Sequence, residues 1–247
     1  MEFQTVKVEG DGAIRHLVLN RPEVHNAVNA ELVSDLHQAI RFLDADPSVR
    51  AVILRGEGKS LCSGADMKQP RFSSQEAMLG SKHGASMYDA LMHMNAISIA
   101  LCHGYMIGGG AVLPAACDFR VGSPSVSLTL NEVSIGFNLT WHSMPALVNL
   151  VGPHHAKEML ILGRSYGLAE LQQFGYFTDT VADDGDLVSA GERLAAEVLK
   201  QPPVPVTVTK ASINALAMPL GRAIQHMDHL AVGYMLSLIH ISEPTRR

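Results

Sequence analysis

The 247-residue chain is short of the features that mark several protein classes. It has three cysteines, Cys62, Cys102 and Cys117. So low and odd a count describes no disulfide framework and suits a reducing cytoplasm. It has no basic excess: 19 Lys and Arg stand against 24 Asp and Glu, a net charge of −5. Nucleic-acid binding by phosphate neutralisation is therefore not expected. The first nine residues carry Glu2, Lys7 and Glu9 and lack the apolar run of a signal peptide. Ala90–Cys117 and Val133–Ala156 lack Asp, Glu, Lys and Arg, but His, Asn, Gly and Pro interrupt both. They read as buried core with turns, and no membrane span is expected. The histidines show no metal signature. His154-His155 and the His226, His229 pair around Asp228 bring no second ligand set.

What is present is a strand–helix pattern followed by helices. Phe3–Val8 and Ala13–Leu19 read as strands, and Asn20-Arg21-Pro22 punctuates the chain. Glu31–Leu43 has a helical stripe of Leu32, Leu36, Ile40 and Leu43. Val52–Leu54 is a buried strand, Gly56–Ala65 a loop, Ser74–Met94 a helix and Ala96–Leu101 a strand. Gly108–Gly110 opens a short helix through Ala116, and Phe119–Val121 and Val126–Leu128 return as strands. Helices are expected at Ser143–Leu150, His154–Leu162, Leu168–Phe174 and Asp186–Lys200. Pro202, Pro203 and Pro205 break the last, and Val206–Ala217 is helical again. The expected organisation is a core over 1–180, a helical C-terminal region over 181–235, and a tail over 236–247. That tail, Leu236–Arg247, reads as the translation of a sequencing-library adapter, which implies that the native C-terminus is missing.

Three features could carry chemistry. Between residues 90 and 156 the only fully charged side chains are Asp118, Arg120 and Glu132. Asp118 and Arg120, two apart on a strand, are expected to pair. Glu132 is isolated. In apolar surroundings its carboxyl pKa would rise and suit proton transfer; on an exposed loop it would be ordinary. Gly104-Tyr-Met-Ile-Gly-Gly-Gly-Ala111 runs from strand through glycines to helix, where amide groups can hold an oxyanion or simply permit close packing. Cys62-Ser-Gly-Ala-Asp-Met-Lys68 is a second such loop, whose Gly64 could expose the Ala65 N–H. Trp141, the only tryptophan, and His142 follow Glu132 by nine and ten residues.

Taken with Leu19-Asn-Arg-Pro-Glu-Val-His-Asn-Ala27, Cys117-Asp-Phe-Arg120, Asn131-Glu-Val-Ser-Ile-Gly-Phe-Asn138 and Leu150-Val-Gly152, these loops resemble the crotonase superfamily, the enoyl-CoA hydratase/isomerase family, over roughly residues 3 to 235. The resemblance implies an α/β spiral of strand–strand–helix units with a helical C-terminal trimerisation region, assembled as a trimer or a dimer of trimers. It implies an acyl-CoA thioester substrate and no cofactor beyond that coenzyme A. The amides of Ala65 and Gly109 would bind the thioester oxygen and Glu132 would be the acid/base. Coenzyme A would lie along Val24, His25, Ala27 and Val28 and along Ala65, Asp66, Met67 and Lys68. The family hydratases' first glutamate falls at Val112, and the isomerases' further acid at Thr140. Val112, Thr140, Trp141 and His142 are therefore substrate-pocket candidates. Hydration or isomerisation is the expected chemistry. Other crotonase-type reactions (hydratase–lyase, decarboxylation, thioester or C–C hydrolysis) and a non-catalytic acyl-CoA binder are the alternatives.

Overall fold

The computed structural model describes residues 3–68, 74–218 and 228. The expected tail, His226 and His229 lie outside them. The chain opens with strands β1 (Val6–Glu9) and β2 (Ile14–Leu19) and helix α1 (Ala30–Asp44). Next come β3 (Ala51–Gly56), α2 (Ser74–His93), β4 (Ile97–Cys102), β5 (Tyr105–Ile107) and α3 (Gly109–Ala116). They are followed by β6 (Phe119–Gly122), β7 (Ser127–Thr129), α4 (Met144–Leu162), β8 (Ser165–Tyr166), α5 (Leu168–Gln173), β9 (Asp179–Thr180), α6 (Leu187–Leu199) and α7 (Pro203–Ala217).

Two sheets organise these elements. The larger runs in the order β1-β2-β3-β4-β6-β9, parallel except for the β1–β2 pair. The smaller runs β5-β7-β8. The strand–strand–helix order recurs as β1-β2-α1, β4-β5-α3 and β6-β7-α4. In the unit that begins with β3, a single bridge from Cys62 to Met106 takes the place of the second strand. This one residue therefore joins the loop after β3 to the smaller sheet.

Central strands buried on both faces need continuous apolar runs. All six residues of β4 are buried, and all of β3 except Arg55. Their side chains divide by alternation. Val52 and Leu54 join the main core with Leu36 and Ile40 of α1 and Tyr88 and Leu91 of α2. Ala51, Ile53, Ile99 and Leu101 face α6 through Leu187, Ala190 and Ala195. Helix α1 forms where expected because its apolar stripe faces the sheet and Asn29 caps it, accepting the Leu32 N–H at 2.8 Å.

Three expectations change. The helices expected at Ser143–Leu150 and His154–Leu162 form one run broken at Gly152, whose φ of 75° only glycine adopts easily. Helix α7 starts at Pro203, because a helix tolerates proline in its first turn, where no amide partner is lost. Asp118 and Arg120 do not pair. Arg120 donates to the carbonyls of Tyr176 at 2.7 Å, Cys117 at 2.7 Å and Pro114 at 3.2 Å, closing the C-terminal end of α3. Asp118 accepts from the Ser98 N–H at 2.8 Å and from Lys210 Nζ at 2.6 Å. Lys210 also donates to the Ala96 carbonyl at 2.8 Å, and its side chain is 5% exposed. This pair pins α7 to the strands.

Replacing Lys210 with Met leaves Asp118 charged and nearly buried without its cation. The loss should be about 3–5 kcal/mol, because a broken buried pair strands an uncompensated charge. Urea unfolding of Lys210→Met against the wild type measures it. An unchanged midpoint would show that the pair does not hold α7.

Candidate active site

The first donor turn is built around Asn26, which is wholly buried. Its amide nitrogen donates to the Glu57 carbonyl at 3.0 Å and the Ser60 carbonyl at 2.8 Å, and its oxygen accepts the Arg21 N–H at 2.8 Å. His25 and Asn26 take left-handed φ of 51° and 55° to make this turn. Arg21 bonds the Ala27 carbonyl and Asp66 Oδ2, the latter at 3.0 Å. The Arg21 hydrogen bond is the main reason the Asp66 carboxyl is held below the usual carboxylate range. Val28 N–H bonds Gly64 O at 2.7 Å and Asp66 N–H bonds Val28 O at 2.9 Å. The segments Val24–Val28 and Ala65–Lys68 thus run side by side. Met67 and Lys68 project to the surface, Met67 with 87% exposure.

The second turn follows β5. Gly108, at φ 50°, donates to the Thr129 carbonyl at 2.9 Å, and α3 begins at Gly109. The two turns are stitched by Cys62 N–H to Tyr105 O at 3.0 Å and Ile107 N–H to Cys62 O at 3.1 Å. Their backbones touch. A Cβ on Gly64 would lie 2.6 Å from the Ile107 carbonyl oxygen, and one on Gly110 would strike the Cys62 carbonyl. Neither the Ala65 N–H nor the Gly109 N–H has an acceptor among the described residues. At a helix start, such an amide is a natural partner for an anion.

Glu132 sits just beyond β7, where a one-turn helix (Val133–Ile135) ends at left-handed Gly136. Its Oε1 lies 3.0 Å from where a Cβ on Gly108 would be. Its Oε2 is buried with no hydrogen-bond partner among the described residues. Burial pushes its carboxyl pKa up, which decides between the two readings left open by the sequence. Val112 is 3% exposed and packs in the main core. Thr140 turns its carbonyl to the Ser143 N–H and hydroxyl. Trp141 and His142 both adopt left-handed φ, 63° and 58°. The indole of Trp141 reaches Gly109 on one side and Gly84 of α2 on the other. His142 Nδ1 is 2.9 Å from Asp89 Oδ2, and its backbone N–H donates to Asp228 Oδ2 at 2.8 Å.

Gly84 and Asp89 were not foreseen. A glycine inside a helix costs about 1 kcal/mol against alanine, so Gly84 in Ser74–Met94 was a signal for a close approach. Nothing in the spacing ties Asp89 to His142. Among the described residues, one group could gather round a metal ion: His154, His155 and Glu158, with ligand atoms within 4.8 Å of one another. The sequence reading missed Glu158 beside the two histidines. His155 stacks on Phe174 at 3.8 Å, and Arg164 lies 3.8 Å from Glu158, so each has a structural partner.

A parallel sheet wound with strand–strand–helix units and two adjoining amide turns is the frame of the crotonase fold. A probable enoyl-CoA hydratase from Mycobacterium smegmatis superposes with a TM-score of 0.85 over 96% of this chain and 97% of its own, at 24% identity. The enoyl-CoA hydratase/isomerase family model matches residues 9–237, and the chain belongs to that family. A putative enoyl-CoA hydratase of Thermus thermophilus is 34% identical over 218 residues, 85% of this chain and 84% of its own length. A mevalonyl-coenzyme A hydratase of Beauveria bassiana is 32% identical over 209 residues, 80% and 74% of the two chains.

An acid whose pKa rises on folding costs stability once it ionises. Below the unfolded pKa Glu132 is protonated in both states and contributes nothing. Between that pH and the folded pKa the unfolded state gains, at about 1.4 kcal/mol per pH unit. Glu132→Gln should therefore match the wild type in unfolding midpoint near pH 4. It should become the more stable of the two as the pH rises to 8. A wild type that stays equal or superior at pH 8 would show Glu132 to be satisfied in the fold.

Proposed function

We propose that this protein converts an acyl-CoA thioester through an enolate, with Glu132 as its single acid/base and the Ala65 and Gly109 amides on the thioester oxygen. The observation that carries the reading is the desolvated Glu132 carboxylate against Gly108, one residue from the Gly109 amide. Negative charge grows on the thioester oxygen as the enolate forms. Two fixed N–H donors lower that barrier without reorganising, and losing one such donor typically costs about 10²–10³ in rate. Coenzyme A follows the paired segments, along Val24, His25, Ala27 and Val28 and along Ala65, Asp66, Met67 and Lys68. Thr140, Trp141 and His142 face the acyl group.

One carboxylate is enough for either family reaction. In isomerisation Glu132 takes a proton from C2 of a 3-enoyl-CoA and returns it to C4 of the dienolate. In hydration it takes a proton from water as the water oxygen bonds C3, then gives that proton to C2. Neither step calls on a resident cofactor. Relatives that are named a hydratase and a dienoyl-CoA isomerase support the pair of reactions. Isomerisation uses the lone carboxylate more simply. Val112 favours a second reading, a binder that has lost its chemistry, because a buried valine moves no proton. We further propose that 181–235 mediates a homotrimer or a dimer of trimers, and that the enzyme works in the cytoplasm, where its three free cysteines stay reduced.

The test is turnover of crotonyl-CoA, a 3-enoyl-CoA and an aryl-propenoyl-CoA, followed by product mass. The wild type should convert at least one, and Glu132→Gln should lose about 10²–10⁴ in rate while remaining folded. Turnover retained in Glu132→Gln would sink the assignment. Tight thioester binding without turnover of any substrate would establish the binder.

A further inference from the structure

The indole of Trp141 is wedged between α2 and the start of α3. Its benzo edge, at Cη2 and Cζ3, stands 3.1 and 3.3 Å from where a Cβ on Gly109 would be. Its pyrrole edge, at Nε1, presses so closely on Gly84 that any side chain there would overlap the ring. The ring therefore spans from α2 to the first residue of α3. It fits because both ends of its slot are glycines. Val28 Cγ2 also approaches the Gly109 end, at 3.8 Å from the same Cβ position.

The ring is held as well as placed. Trp141 and His142 are two successive non-glycine residues in left-handed backbone. Each such residue is held against strain by its surroundings. Here the His142 N–H bonds Asp228 at 2.8 Å, and Nδ1 meets Asp89 on α2 at 2.9 Å. The same helix thus anchors His142 and receives the edge of Trp141.

We propose that Trp141 is the specificity-determining residue of this site, a crossbar that admits short acyl groups and bars medium-chain ones. The proposal rests on the enolate reading above. With the thioester oxygen on the Gly109 amide, the acyl carbons begin beside Gly109, where the benzo edge stands. A chain of crotonyl size ends against the ring. A longer one must displace it, against the closed slot at Gly84 and the Asp89–His142 contact.

Trp141 is the only tryptophan of the chain, so fluorescence excited at the red edge, where the five tyrosines do not absorb, reports on the crossbar alone. Saturated thioesters bind without reacting and separate this question from turnover. Butyryl-CoA should shift the wild-type emission saturably, whereas coenzyme A without an acyl group should not. By calorimetry, decanoyl-CoA should bind more weakly than butyryl-CoA. Trp141→Ala should change that affinity ratio about tenfold or more in favour of decanoyl-CoA, because even one methylene in an apolar pocket discriminates by about 10-fold to 200-fold. Gly84→Ala, which crowds the ring from α2, should alter the emission of the free protein. An emission that ignores butyryl-CoA, or an affinity ratio equal in wild type and Trp141→Ala, overturns the crossbar while leaving the enolate reading intact. Failure of every CoA species to bind sinks that reading, and the crossbar with it.

Discussion

The structure depends on two stretches of backbone being able to touch. The loop that ends at Ala65 and the turn that ends at Gly110 lie against each other with carbonyl oxygens where side chains would ordinarily be. Any residue but glycine at 64 or 110 forces them apart. The contact lays the turn that carries Ala65 against the turn that leads into Gly109, two parts of the chain distant in sequence. Much of the surrounding framework follows from this requirement. Buried Asn26 and the Arg21–Asp66 pair brace the first turn, and the Cys62–Met106 bridge aligns it with the second.

Within that frame the charges are arranged to be few. The central strands carry apolar side chains on both faces, and the Glu132 carboxylate against Gly108 has no cation partner among the described residues. Burial of its Oε2 without a hydrogen-bond partner among the described residues works against folding of the ionised form and raises the carboxyl pKa. Two other largely buried charged groups are well partnered. Arg120 is surrounded by carbonyl oxygens and Asp118 by Ser98 and Lys210. The contrast between those groups and Glu132 is what supports its proposed role as the acid/base.

Much of this was legible in the sequence. The stripe of Leu32, Leu36, Ile40 and Leu43 and the apolar run at β4 located a helix and a strand to within two residues. The glycines at 64 and 108–110 and the solitude of Glu132 marked the loops that carry the candidate chemistry. What escaped were contacts that depend on the third dimension. The partner of Asp118 lies 92 residues away, on a helix whose prolines read as a break. The short strands β5, β8 and β9 have two or three residues each, too few for any periodicity. Asp89 meets His142 across 53 residues, a contact that no spacing in the sequence marks.

The Lys210–Asp118 pin has a consequence in time as well as in space. On a ribosome the strands from β1 to β6 are complete long before Lys210 is made. Of the two protein partners of Asp118, Ser98 is made early and Lys210 late. The sheet thus receives its last electrostatic support from α7, the last helix described. A chain that ends before that helix leaves Asp118 open to water, which solvates the carboxylate in place of Lys210. Synthesis itself sets the order in which the interior becomes neutral.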